Sequence, residues 1–367
     1  MTTSIISNSL KVLLLCLAIT LVGNSCKKQQ DFDKEIMLNT IVEDYVLPKL
    51  TALLSQVNAL EKAADSFVLN PTTNTLEQTQ QTWKETMETW SQVEMLYFGP
   101  GRDNYRYLKL DNTPVNTVSI EQSISGSTTI DSATIANMSS YTKGLATVEY
   151  LLFSIANSSD LVDLYTTNTT AVQRADYLTS TIKNAKKLIE ELVSEWSPNG
   201  GNYAAELSSN TSNKTLGGIG RFSNAIIHIT QTMARKKIGK PLGKEAANGN
   251  INTELLESKY ADYSWEMILN NLRGVQQIFG TNDNNRLGAY LSSIVGNDEL
   301  TNNIATQITT IEAAIVARNS SLKIDLTNDT AAVEAIYDQL KALYEILSTD
   351  MAVSFEVTVL TNTDDGD

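Results

Sequence analysis

Two glutamates in apolar or aromatic segments have the clearest capacity for chemistry. Glu149 interrupts the run "KGLATVEYLLF" at residues 143–153, where apolar residues recur at helical spacing on most sides. A helix that is apolar nearly all round is buried, so we expect the Glu149 carboxyl at an interior surface. A buried carboxylate needs a partner, and the sequence offers Arg102, Arg221 or a bound ligand.

Glu94 lies on a second predicted helix, four residues after Trp90 and just before the turn "FGPGR" at residues 98–102. If Glu94 and Glu149 meet, their oxygens could bind a hard cation. In unlike environments the same two groups could form an acid–base pair. The alternative for Glu149 is structural: an arginine or backbone donors satisfy its carboxyl, which then holds two helices in register. The cofactor therefore stays unknown, with a metal cation as the candidate and these two glutamates as its candidate ligands.

Other motifs point away from familiar catalytic sites. His228 is the only histidine, which excludes a histidine-rich zinc site, and its apolar surroundings favour a packed core residue. The segment "LGGIGRF" at residues 216–222 could hold an anion beside Arg221, but it lacks the ending of a P-loop and favours a hinge at a helix start. The tail "NTDDGD" at residues 362–367 lacks EF-hand spacing. The sequence contains neither a Gly-x-Ser-x-Gly elbow nor a catalytic cysteine, which disfavours a nucleophilic hydrolase.

The amino terminus has the pattern of a secretory signal peptide. Lys11 precedes an apolar run at residues 12–23, which is too short to span a bilayer, and small residues lead to Cys26. This arrangement resembles a bacterial lipobox, so we expect residues 1–25 to be removed and Cys26 to carry lipid. Residues 26–36 would then form the lipidated terminus and a tether. Ordinary cleavage that leaves Cys26 as a free thiol is the alternative.

The composition argues against disulfide bonds and against a nucleic-acid partner. The chain has two cysteines, so removal of Cys16 with the signal peptide and lipidation of Cys26 leave no disulfide. Stability must then come from packing. The formal net charge is −14 and no basic stripe is present, which argues against a nucleic-acid partner.

Hydrophobic periodicity predicts an all-α fold. Pro48 is expected to kink or split the first helix, and residues 103–140 are expected to be irregular or to contain short helices. The stretch "VSFEVTVL" at residues 353–360 is the one place where a strand pattern is suggested. We expect two four-helix-bundle-like halves, residues 37–200 and 201–367, packed together with a cleft between them. The helices are predicted at about residues 37–67, 76–97, 143–153, 171–196, 216–238, 263–279, 300–317 and 331–360.

Several segments, taken in order along the chain, resemble one family. "TWSQVEMLYFGPGR" at residues 89–102 resembles the Trp-x-x-x-Glu-x-x-x-Phe-Gly-Pro segment of imelysin-like proteins. "GLATVEYLLF", which begins at Gly144, resembles their Gly-x-His-x-x-Glu motif. "KKIGKPLG" at 236–243, "ESKYADYSWEMILNNLRG" at 257–274 and the terminal "DDGD" resemble later landmarks of the same family.

The resemblance implies an all-helical protein of two bundle-like halves, found in the periplasm or as a lipoprotein. The family is catalogued with metallopeptidases and is discussed in connection with iron uptake. Its proposed site lies near the motif glutamate, between the halves. In this sequence Ala146 stands where the family has its histidine, so we carry over neither a metal site nor a peptidase mechanism. The ligand-binding candidates are Glu149, Glu94, Arg102, Gly144 and Arg221.

We therefore expect a cell-envelope lipoprotein that binds a ligand without catalysis, in a process linked to iron or other nutrient uptake. A metallopeptidase is the alternative, and a structural or adaptor lipoprotein is the third. Lys27 after the lipidated cysteine favours the outer membrane, with the protein facing the periplasm or the cell surface. The expected partners are the membrane through Cys26, iron or another small ligand, and other envelope proteins.

Overall fold

Apolar stripes at helical spacing fold here into a set of packed α-helices. The structure, a computed structural model, describes residues 32–126, 128–280 and 285–360. Within those residues there is no β-strand, and the all-α prediction is confirmed. The predicted signal peptide, Cys16 and the lipidation site Cys26 lie outside the described residues, as does the tail at 362–367.

The first part of the chain forms three long helices and several short ones. Their bounds are α1 (Lys34–Ile41), α2 (Leu47–Leu69), α3 (Thr73–Val93), α4 (Arg106–Leu110), α5 (Thr117–Ile124), α6 (Ser132–Asn137), α7 (Leu145–Phe153), α8 (Ser158–Asp163) and α9 (Ala171–Trp196). Short 3₁₀ turns occur at Gly99–Gly101, Asp103–Tyr105 and Ser140–Thr142. Residues 103–140 thus contain short helices, one of the two outcomes that the sequence allowed.

The second part of the chain has the same character. Its helices are α10 (Tyr203–Ser209), α11 (Gly218–Gln231), α12 (Lys240–Leu242), α13 (Ser264–Phe279), α14 (Leu287–Val295), α15 (Glu299–Val316), α16 (Leu322–Asn328), α17 (Thr330–Ile346) and α18 (Ala352–Ser354). A 3₁₀ turn covers Thr253–Leu255, and π-helical segments at Thr232–Gly239 and Leu347–Met351 join α11 to α12 and α17 to α18. Residues 357–360 have no regular secondary structure.

Pro48 modifies the first helix without ending it. Proline has no N–H to donate to the carbonyl four residues earlier. The chain accommodates it with a π-helical turn at Val42–Val46, in which Leu47 N donates to Val42 O, and Pro48 sits in the first turn of α2. Helical backbone therefore runs unbroken from Lys34 to Leu69.

Two groups of helices surround the buried residues. Helix α2 packs against both α3 and α9, while α11, α13, α15 and α17 pack among themselves. Helix α3 also packs directly against α13, so residues 73–93 touch both groups. The core includes the fully buried side chains of Trp83, Trp90 and Trp196. The division into two bundles near residue 200 stays a prediction.

None of the helices among the described residues combines the length and the apolarity that crossing a membrane requires.

Candidate functional site

Gly144 fixes where the central helix of the site begins. It caps α7 with φ 82° and ψ −172°, a conformation that residues with a side chain rarely adopt. A Cβ on Gly144 would lie 2.4 Å from the Leu110 carbonyl oxygen, so glycine also permits the close approach of α7 to the end of α4. Trp83 Nε1 donates to Leu145 O at 3.0 Å and ties the same end of α7 to α3.

Glu149 is buried, as its apolar helix predicts, with 3% of its surface exposed. Its Oε1 accepts hydrogen bonds from the backbone amides of Tyr260 and Ala261, each at 2.8 Å, and from Ser258 Oγ at 3.1 Å. These donors lie in the loop that precedes α13, more than 100 residues along the chain from Glu149. All three described hydrogen bonds reach Oε1, and none reaches Oε2. The carboxyl therefore joins α7 to that loop through one oxygen only.

Burial controls the ionisation of this carboxyl. Burial raises the pKa of Glu149 from about 4.5 to about 7, against the opposing effect of its three hydrogen-bond donors. The nearby charge of Glu257 raises the pKa further. Glu149 therefore exchanges a proton close to neutral pH.

Neither of the two arginines expected as a partner of Glu149 is among its described hydrogen-bond donors. Arg221 lies with its guanidinium 5.7 Å from the ring centre of Phe98 and 5.6 Å from that of Tyr203, and its Nε donates to Leu216 O. Arg102 is exposed, in the turn between two 3₁₀ segments. Neutral donors take the place of a cation, which is consistent with a raised rather than a lowered pKa at Glu149.

Glu94 belongs to a separate set of polar residues, here termed the Lys237 cluster: Glu94, Asp111, Lys237, Glu257 and Asn271. Lys237 is 3% exposed, and its Nζ lies 2.7 Å from Glu94 Oε2, 2.9 Å from Glu257 Oε2 and 2.7 Å from Asn271 Oδ1. Asn271 Nδ2 donates to Glu94 Oε2 at 2.8 Å. Trp90 Nε1 donates to Asp111 Oδ2 at 3.0 Å. The cluster thus joins α3 and the residue after α4 to the second part of the chain.

The Lys237 cluster holds more acids than bases. Burial would raise the pKa of Glu94, but Lys237 and Asn271 outweigh it and lower the pKa overall. Burial and the charges of Glu257 and Glu94 raise the pKa of Asp111 well above its usual range. Burial also raises the pKa of Glu257, although Lys237 opposes that effect. Lys237 therefore pairs with both Glu94 and Glu257, and the pKa is lowered at Glu94 but raised at Glu257 and Asp111.

Glu257 links the cluster to Glu149, because it directly precedes Ser258, one of the donors to Glu149. Glu94 and Glu149 are consequently connected through Lys237 and the loop, but each has its own hydrogen-bond partners. The sequence did not single out Lys237, Glu257 or Asp111. Lys237 and Glu257 do fall within two of the segments that carry the family resemblance.

A catalytic metal centre does not fit these residues. Ala146 is buried one turn before Glu149 and supplies no ligand atom. Across the described residues, no three His, Cys, Asp or Glu side chains are placed to hold one ion. His228 is partly buried on α11, so no histidine is part of the α7 motif.

Comparison with known proteins gives the family. The family model described as Imelysin matches residues 46–348. The chain belongs to the imelysin family. A search of curated proteins finds no match.

Two solved structures share the fold. An imelysin-like protein from Psychrobacter arcticum 273-4 is 17% identical, with a TM-score of 0.73 over 90% of this chain and 99% of that one. A putative iron-regulated protein A precursor from Parabacteroides distasonis ATCC 8503 is 18% identical, with a TM-score of 0.71 over 88% of this chain and 95% of that one. At these identities the similarity shows the fold alone.

Proposed function

We propose that this chain is a cell-envelope binding protein without hydrolytic chemistry, which acts in a process tied to iron or another nutrient cation. One observation carries the proposal: in the buried Glu149 carboxyl, Oε1 accepts three hydrogen bonds from the loop, and Oε2 has no described donor. A ligand that brings a positive charge or a hydrogen-bond donor would satisfy that oxygen.

The surplus of acids over bases in the Lys237 cluster and at Glu149 supports a cationic ligand. Glu94 and Glu257 share the one cation of Lys237, and burial raises the pKa of Asp111, Glu257 and Glu149. A cation that approaches these groups would stabilise their ionised forms and release protons. The Parabacteroides distasonis protein is described as iron-regulated, which supports the link to iron.

A peptidase is the less favoured function because its usual parts are missing at this site. Metal-assisted hydrolysis takes several nitrogen or carboxylate ligands around one ion and an open position for water. Ala146 removes one ligand of the family motif, and Oε1 of Glu149 is already occupied by three protein donors. The envelope location rests on the sequence, through the predicted signal peptide and lipidation at Cys26.

Ligand-dependent stabilisation tests this proposal. The mature protein, Glu149→Gln and the exposed-site control Glu77→Gln are heated with ferrous ion, ferric citrate, haem or other divalent cations. We expect at least one of these to raise Tm in the mature protein and in Glu77→Gln, but much less in Glu149→Gln. A ligand present at 100 times its Kd should stabilise the folded state by about 2.7 kcal/mol. If none changes Tm, the chain is a structural or adaptor protein.

The peptidase alternative has its own assay. Purified protein is incubated with unfolded polypeptides, with and without a chelator. The binding-protein proposal would be overturned by cleavage that the chelator stops, provided that Glu149→Gln has lost this cleavage and Glu77→Gln has retained it.

A further inference from the structure

The first helix of the described residues begins at Lys34, at a defined place on the molecular surface. Lys34 Nζ lies 5.1 Å from the ring centre of Tyr290, and the Tyr290 ring stacks on Phe355 with 5.0 Å between centres. Helix α14 also packs against both α1 and α18. The surface formed by residues 34–36, α14 and residues 352–355 is termed the Lys34 pole.

Three exposed apolar side chains belong to the segments of the Lys34 pole. Ile36 is 50% exposed and lies two residues after Lys34. Ile294 is 43% exposed, one helical turn after Tyr290, and Val353 is 77% exposed, two residues before Phe355. Single exposed apolar residues are ordinary, but several on elements that pack against one another favour a contact surface.

The length of the predicted tether limits how far the Lys34 pole can lie from the lipid anchor. Seven residues separate the predicted lipidation site Cys26 from Lys34, so the connection spans at most about 28 Å. The unbroken helix from Lys34 to Leu69 has a contour length of about 50 Å, so Leu69 lies far along the fold from the tether.

We propose that the Lys34 pole rests on the lipid bilayer that holds the anchor, with Ile36, Ile294 and Val353 at the lipid interface. This inference rests on the lipid anchoring in the proposed function. A tether this short holds the Lys34 pole at the membrane at a high effective concentration, which makes up for weak intrinsic affinity. Weak affinity is expected because the exposed Glu35 and Glu356 beside the pole do not attract anionic lipid.

Single-cysteine labelling tests the orientation, because lipidation of Cys26 leaves the mature chain without another thiol. Lipidated Val353→Cys and Ile36→Cys carry a bimane dye and are reconstituted in phosphatidylcholine vesicles with brominated acyl chains. Leu69→Cys, at a side chain that is 88% exposed, is the matched control. We expect the bromine to quench the dyes at Val353 and Ile36 at least threefold more than the dye at Leu69. The same labelled variants with Cys26→Ser, expressed without residues 1–25, should show no quenching.

The other outcomes distinguish a failure of the proposed orientation from a failure of the lipid anchoring. Protein that never co-sediments with vesicles would remove the lipid anchoring itself. Anchored protein with equal quenching at Val353 and Leu69 would overturn the inference and leave the anchoring intact. Shielding of Val353 that depends on protein concentration without vesicles would make the Lys34 pole an interface between two copies, and would also overturn it.

Discussion

Replacing Glu149 by glutamine should alter how the stability of the protein depends on pH. Glutamine keeps an oxygen that can accept from Ser258, Tyr260 and Ala261, so the loop stays attached to α7. It removes only the titration. The prediction therefore isolates the effect of burying an ionisable group at this position.

The magnitude follows from the pKa of Glu149. Burial raises that pKa from about 4.5 to about 7, so between these values the folded state holds a proton that the unfolded state has released. Stability from this group is fully present below pH 4.5 and is lost as the pH rises through 7. A shift of about 2.5 units at 1.36 kcal/mol each amounts to about 3 kcal/mol. The free energy of unfolding of Glu149→Gln, relative to that of the unmodified protein, should therefore increase by about 3 kcal/mol as the pH rises from 4.5 to 8.

Urea unfolding followed by tryptophan fluorescence at pH 4.5, 5.5, 6.5 and 8 measures this difference. Other titrating groups, such as Asp111 and Glu257, act in both proteins and largely cancel in the comparison. Glu77→Gln, at an exposed site, should follow the unmodified protein at every pH. If the free-energy difference for Glu149→Gln stays constant across the range, Glu149 does not titrate as a buried acid and the reasoning is wrong.

Two other substitutions test the surroundings of the site. Lys237→Met should destabilise the fold by about 3 kcal/mol at pH 8, because it leaves Glu94 buried without its cation. The loss in urea midpoint should shrink at pH 5 or when Glu94→Gln is added, and an equal loss at both pH values would contradict the charge argument. Gly144→Ala should lower stability by about 3 kcal/mol through backbone strain and contact with the Leu110 carbonyl. Gly296→Ala, which has φ 80° but open space around it, should lose about 1 kcal/mol in the same thermal unfolding assay, and equal losses would exclude the contact.

The long helices were predictable because their signal is local. Apolar residues at helical spacing identified the segments that became the unbroken helix Lys34–Leu69, α3, α9, α13, and α11 together with the π-helical segment after it, with ends within a few residues. The short helices α14 and α16 were missed. A helix of nine or seven residues is stabilised mainly by what packs against it, which periodicity in one segment does not show.

The site was predictable only in part, for a similar reason. A single acid in a helix that is apolar nearly all round indicated that Glu149 is buried. Its partners could not be found by looking for opposite charge, because two of them are backbone amides, which every residue except proline carries. Lys237 and Asp111 come together with Glu94 through the packing of distant segments, and no spacing in the sequence records that.

The hydrogen bonds of Glu149 bear on what kind of ligand the site accepts. A carboxylate that ligates a metal normally works with other ligands around the same ion, yet here Ala146 occupies the adjacent turn and Oε1 is committed to the loop. The carboxyl group takes up or releases a proton near neutral pH because burial raises its pKa. The cationic ligand of the proposed function would compete with that proton, so its affinity should rise about tenfold for each pH unit up to 7 and level off above. The proposal therefore predicts reversible, pH-dependent binding rather than the fixed polarisation of a scissile bond.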